Sequence, residues 1–284
     1  MKTNSLRTAL AATAFAAFAA TSLAPATAAE LLAGIGFSGG NNVLVTFPSD
    51  DPMAVSKVKI KGLQKKETIL GIDVRPLNGQ IYALGSTSRL YVINRDTGVA
   101  TAVSPTPLSP AVAGTSIAFD FNPTVDRIRI MTDAGQNLRA HPDTGAIVAV
   151  DASLAYAGGD PSFADVPEVS ACAYTNNDND PVTGTTLFDI DTANDIIVRQ
   201  DPPNNGTLNT VGTLGVDVTS VAGFDIAGSN GIAYAGLVVK NGSKKNLRAT
   251  LFTLNLTTGT VTEIGKIGGP WPLTSLTALG QLAE

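Results

Sequence analysis

One cysteine, one histidine and one tryptophan are all that this 284-residue chain holds of three residue types that often carry chemistry. With Cys172 alone, no intramolecular disulfide can form, so the fold must be held by burial. His141 precedes Pro142, and any Ser-His-Asp or histidine-zinc arrangement would have to use that one ring. A turn histidine is the plainer reading. Aromatic residues make up only 6%, while Val, Ile, Leu, Thr, Gly and Ala dominate, which suits sheets packed through small contacts. Charged residues are 15% and the net charge is −5, without the basic face that a nucleic-acid binder needs. Beyond the N-terminus no run reaches the roughly 18 apolar residues of a membrane span.

The N-terminus reads as an export signal. Lys2 and Arg7 precede an alanine-rich apolar stretch from Thr8 to Leu23, and Ala26-Thr27-Ala28 follows as an A-x-A cleavage site. A cut after Ala28 leaves one domain over 29–284 and removes two cations and no acid, so the charge becomes −5 − 2 = −7. The product is expected in the periplasm or the extracellular space, as a monomer.

What the chain has in quantity is repetition. Gly71-Ile72-Asp73-Val74-Arg75-Pro76 and Ala118-Phe119-Asp120-Phe121-Asn122-Pro123 stand 118 − 71 = 47 positions apart, as do the turns Asp96-Thr97-Gly98 and Asp143-Thr144-Gly145. Short β-like runs at such a period mark the blades of a propeller. Four strands per unit are predicted, beginning at Ile69, Ser116, Val169 and Val221, with Asn204-Asn205-Gly206 and Thr257-Thr258-Gly259 at the later turns and an inserted loop from Lys240 to Asn246. The rest is one strand at Leu273 to Leu279 and three at Leu31 to Phe37, Val43 to Phe47 and Val55 to Ile60. One plus three makes a fifth blade. The fold expected is therefore all-β: a five-bladed propeller of four-stranded antiparallel blades, closed by the C-terminal strand on the N-terminal ones. The segment from Asp151 to Pro167 fits no strand of this scheme and leaves six blades as the alternative.

Two apparent motifs lack their context. Gly34-Ile35-Gly36-Phe37-Ser38-Gly39 matches a dinucleotide fingerprint, and Gly36 to Gly40 a nucleophile elbow, but both need a following helix and a strand comes instead. Carboxylates are stronger candidates. Asp73, Asp120 and Asp225 occupy one place in the first strand of three blades, where they could bind a hard cation such as Ca²⁺ or act as the acid and base of glycoside hydrolysis. Asp73 shares its strand face with Gly71, and Asp120 with Ala118, which favours a blade contact in which the aspartate bonds to backbone amides.

Other candidates are looser. Asp178 and Asp180, in the run Asn176 to Asp180, offer oxygen ligands for Ca²⁺ without the glycine and glutamate of an EF-hand. The Pro202 to Gly206 turn is expected on the opposite rim from that loop. Arg127 and Arg129 alternate on one strand with Arg139 on the next, either to recognise an anion or to tie blades through Asp120 or Asp126. Lys57, Lys59 and Lys61 alternate on the outermost strand, as edge protection or as an anion-binding strip with Lys65 and Lys66. Trp271 either stacks on a sugar or plugs the closing blade.

The string from Phe119 to Arg129, with Gly135 to Arg139 and Pro142 to Gly145, resembles the bacterial family catalogued as domain of unknown function 4394. Ala173 to Asn177, Pro202 to Leu208 and Gly223 to Ile226 are similar to it as well. That resemblance implies export and a propeller-like repeat and brings no catalytic residues. Two functions compete. One is an exported, non-enzymatic binding or scaffold protein that meets a glycan, peptide or envelope protein through rim loops, with Arg127, Arg129, Arg139, Asn176 and Asn177 as ligand-binding candidates and no cofactor beyond Ca²⁺. The other is a glycoside hydrolase using Asp73, Asp120 and Asp225.

Overall fold

The computed structural model describes residues 28–178, 180–240, 248–269 and 273–282. The residues before Ala28, where an export signal is expected, Trp271 and most of the Lys240 to Asn246 loop lie outside them. Each sheet is built on four antiparallel strands. In chain order, β1 (Glu30–Ser38), β2 (Asn41–Pro48) and β3 (Ser56–Lys59) come first. The first complete blade is β4 (Ile69–Val74), β5 (Ile81–Gly85), β6 (Leu90–Ile93) and β7 (Ala100–Ala102). The second is β8 (Ile117–Asn122), β9 (Arg127–Thr132), β10 (Asn137–Ala140) and β11 (Ile147–Val150). After β12 (Ala155–Tyr156), the third is β13 (Val169–Tyr174), β14 (Leu187–Asp191), β15 (Ile196–Gln200) and β16 (Thr207–Thr213). The fourth is β17 (Val218–Ile226), β18 (Ala233–Val239), β19 (Thr250–Leu254) and β20 (Val261–Lys266), and the chain ends with β21 (Leu276–Gln281).

β21 pairs with β1 in the sheet β21-β1-β2-β3, so five blades form and the last strand closes the ring. β12 settles the segment that suggested a sixth blade. It adds to β16 in parallel as a fifth strand of the third blade, covering an edge that would otherwise be open, so that blade is neither four-stranded nor wholly antiparallel. In a meander the first and third turns of a blade share one end. The loop at Asn176 to Asp180 and the turn at Pro202 to Gly206 therefore lie on the same rim, which corrects the expectation that they stand on opposite ones.

Strands β4, β8, β13, β17 and β21 are the innermost of their sheets, and each contacts the next around the ring. Five buried apolar clusters fill the five gaps between neighbouring blades, for example Tyr82, Leu84, Phe119, Phe121 and Ile130 between the first and second. Small residues let the inner strands approach. A Cβ on Gly71 would stand 2.6 Å from Phe119 Cβ, and one on Gly223 would stand 2.7 Å from backbone atoms of Ser275 and Leu276. At the turn glycine Gly98 the left-handed φ of 69° is needed as well, and a Cβ there would stand 2.2 Å from the Lys59 carbonyl oxygen.

Gly71→Val puts two methyl groups into the tightest blade contact on the first inner strand. It should lower the urea midpoint by the equivalent of about 1–3 kcal/mol, the usual cost of overpacking. An unchanged midpoint would show that neighbouring blades can part.

Candidate functional site

All five inner strands run toward one rim, and their last residues surround the mouth of the central channel. Asp73, Asp120 and Asp225 sit just inside it, 1–2% exposed. Each reaches across to the next blade. Asp73 Oδ2 accepts the Phe121 N–H at 2.8 Å, Asp120 Oδ2 the Tyr174 N–H at 2.8 Å, and Asp225 Oδ2 the Ala278 N–H at 2.6 Å. Thr277 holds the equivalent place in the closing blade. Its hydroxyl accepts the Val74 N–H at 3.2 Å and donates to Asp73 Oδ1 at 2.8 Å. Ser275, one turn of the pleat earlier, accepts the Ile72 N–H and donates to the Ile72 carbonyl. In the third blade Ala173 takes this position, and the link to the fourth is made by Asn177, whose Nδ2 donates to the Ile226 carbonyl at 3.1 Å.

One oxygen of each aspartate lies within 4.8 Å of the others, a spacing that a cation would accept. Each aspartate already gives one oxygen to a backbone N–H, and Asp73 gives its other to the Thr277 hydroxyl. Burial first, then mutual repulsion, raises the pKa of both well above the ordinary carboxyl range. Burial lifts Asp225 to about 6 against the bonds from Ala278 and Ile226. A retaining or inverting glycosidase holds its two carboxyl groups roughly 5–9.5 Å apart and open to substrate. Here one oxygen of each lies within 4.8 Å of the others and the side chains are buried, with Asp73 and Asp225 at the wall of an opening.

The arginine candidates are spoken for. Arg129 is 2% exposed and faces Arg139 across the β9–β10 pair. Both hold Asp151, and Arg129 also bonds to Asn137, to the Tyr174 hydroxyl and to Asn204 of the third blade. The blade tie therefore runs from Arg129 to Tyr174 and Asn204 of the third blade, with Asp151 of its own blade as the counter-charge, rather than through Asp120 or Asp126. Arg127 donates to the Val125 and Asp126 carbonyls. Asp126 instead pairs with Arg75, a residue absent from the candidates, whose buried guanidinium spans Asp126, Asp143 and the Tyr82 hydroxyl. His141 Nδ1 accepts the Asp143 N–H within its turn. Cys172 is buried, and burial raises its thiol pKa far from reactivity.

Asp178 and Asp180 are exposed and occupied with their own loop. Asp178 Oδ1 accepts from Asp180 N–H and the Thr183 hydroxyl, and Asp180 Oδ1 from Val182 N–H. Asn176, at φ 57°, donates to the Gly184 carbonyl. Asn177 does more, because it also lines an opening.

That opening is a pocket of about 180 Å³ at the channel mouth, with Glu30, Asp73 and Asp225 among its walls beside Asn177 and Ser229. Through Val74, Gly79 and Leu279 it joins a groove of about 600 Å³ that runs outward over the first blade past Gln80, Asn94, Asp96 and Thr101. Glu30 is held in place by the Gly280 N–H and the Ser229 hydroxyl. The rim around the opening is acidic. Among the described residues its turns carry Asp50, Asp51, Asp96, Asp126, Asp143, Asp178, Asp180 and Asp201 against Arg75, Arg95 and Arg127.

A family model described as Domain of unknown function (DUF4394) matches residues 43–277. No curated protein matches the chain. Among solved structures, a structural genomics protein of unknown function from Bacteroides thetaiotaomicron VPI-5482 aligns at 15% identity and a TM-score of 0.48, over 90% of this chain and 66% of that one. Glutaminyl cyclase of Myxococcus xanthus aligns at 12% identity and a TM-score of 0.46, over 72% of this chain and 80% of that one.

A carboxyl whose folded pKa exceeds its unfolded value binds its proton more tightly in the native state, so its contribution is lost as pH rises from about 4 through the folded value. Asp225 spreads that loss up to about pH 6, and Asp73 and Asp120 carry it higher. Glu67 and Asp151, both lowered, act in the opposite sense and only at acid pH. The melting temperature should therefore fall between pH 5 and 8. It should fall less in Asp120→Asn, which removes one buried carboxyl and its repulsion of Asp73; equal slopes would refute the assignment. Since protons and N–H groups satisfy the channel carboxyls, and the Asp178 loop satisfies its own, excess chelator should leave the melting curve unchanged. A drop of several degrees would reveal a resident cation.

Proposed function

The chain belongs to that Domain of unknown function (DUF4394) family, and on this premise we propose that it is an exported, non-enzymatic binding protein. Its ligand seats in the groove at the channel mouth. The observation that carries this reading is the pairing of an open groove with an acidic rim, beside carboxylates that are committed to holding the blades together. A rigid platform with a concave, one-signed rim selects ligands of the opposite sign and speeds their capture. The ligand of best fit is a basic peptide segment of an envelope or extracellular partner, its cations facing Glu30 and the rim aspartates and its backbone meeting the amide and hydroxyl groups of Gln80, Asn94 and Thr101.

Fluorescence anisotropy with a labelled lysine-rich peptide tests the proposal. Binding should weaken with salt, and the triple variant Asp96→Asn, Asp178→Asn, Asp180→Asn should lose affinity by roughly tenfold, as expected for rim charges that steer and hold a ligand. Asparagine keeps the oxygens that the Asp178 and Asp180 loop needs, and the Asp96 turn is held by Asn94 instead. Release of reducing ends from a polysaccharide by the wild type, abolished in a folded Asp225→Asn variant, would overturn this reading in favour of a hydrolase.

A further inference from the structure

A second surface of opposite sign lies on the side of the closing blade. From Pro52 to Lys66 the chain has no acidic residue, while Lys57, Lys59, Lys61, Lys65 and Lys66 are all exposed. The first two lie on β3 and Lys61 directly follows it, in an extended run whose other face, Ile60, is buried against the first blade. Alternation puts Lys57, Lys59 and Lys61 on one face at intervals of about 6.7 Å.

Edge protection does not account for them. The end of this strand is already paired, since Lys61 N–H donates to the Gly98 carbonyl and the Ala100 N–H to the Lys61 carbonyl. The other blades do not guard their outer strands in this way. β11 leaves Val148 and Val150 exposed at 46% and 66% with no lysine beside them, β16 is covered by β12, and β20 carries only Lys266. Lysine is concentrated on one blade of an acidic protein, and there it forms a line.

We propose that this line is a binding strip for a linear acidic polysaccharide, a site separate from the groove. A narrow row of cations spaced along an extended strand matches the carboxylates or sulfates of one extended glycan chain. Single-stranded nucleic acid is recognised through aromatic platforms on which bases stack, and no aromatic residue lies between Pro48 and Thr68. A bilayer or a duplex presents a broad anionic face and would also press on Asp50 and Asp51, just before the strand. A single polyuronate chain can follow the lysines alone.

The full chain should be retained on immobilised alginate at low ionic strength and released by about 0.5 M salt, where charge attraction is screened to a few ångströms. Lys57→Gln, Lys59→Gln, Lys61→Gln together should weaken retention by roughly tenfold or more, the arginine triple should keep it, and Arg199→Gln on the third blade should leave it unchanged. Melting curves matching the wild type confirm that each variant is folded. Equal retention by the glutamine triple, retention on neutral dextran, or stronger binding to oligo-dT or to phosphatidylserine vesicles than to alginate would overturn the proposal. The lysine-rich peptide should bind the glutamine triple as it binds the wild type, so failure of the strip and failure of the groove are read separately.

Discussion

The structure depends on a hand-over at its axis. A side-chain oxygen on one inner strand accepts a backbone N–H from the next, and the sequence Thr277 to Val74, Asp73 to Phe121, Asp120 to Tyr174 and Asp225 to Ala278 goes round the ring with one gap. Inner strands of a propeller do not pair with each other, so their N–H groups face a narrow channel where an unmet donor is costly. Carboxylates on three of the five inner strands, and the Thr277 hydroxyl on a fourth, meet that need. At the gap, beside Ala173, Asn177 connects the third and fourth blades through the Ile226 carbonyl. Everything farther out, from the five apolar clusters to the buried Arg75 and Arg129 networks, presupposes that the blades are held at this radius.

The same placement decides what the carboxylates can do chemically. Bringing three acids within 4.8 Å in a buried site raises their pKa values, and each is engaged in holding the next blade. Structural use and catalytic use compete for the same lone pairs. The surface that the clamp leaves open is a groove on one rim bordered by acidic turns, while the side of the closing blade carries a row of lysines. The two surfaces have opposite sign and different geometry, one concave and one linear, so they suit different ligands.

Much of the fold could be read from the chain because propeller blades write themselves locally. β4 and β13 begin at Ile69 and Val169, where the repeat and the turn signals placed them. The pairing of one C-terminal strand with three N-terminal ones followed from counting. β12 escaped notice because two residues, Ala155-Tyr156, carry no periodicity, and its parallel pairing depends on where Thr207 and Leu208 happen to run. The site was half legible. The shared face of Asp73 and Gly71 signalled a blade contact, but the acceptors' partners are backbone N–H groups, which no residue type announces. Ser275 and Thr277 were missed for the same reason, and Arg75 because its partners, Asp126 and Asp143, are 51 and 68 positions away. Grooves arise where blades diverge, and that is a property of the assembled ring.

Closure also sets an order of events. Glu30 receives the N–H of Gly280 across 250 positions, and β1 finds its inner neighbour only in β21. Until the last strand arrives, the first three strands have an open inner edge and Asp225 has no Ala278 to hold. Four blades can organise from contacts near in sequence, whereas the fifth waits for the longest loop closure in the chain, a slow step on entropic grounds. A chain built this way stays unlocked while it is being made or moved, and the ring snaps shut only when both of its ends are in the same place.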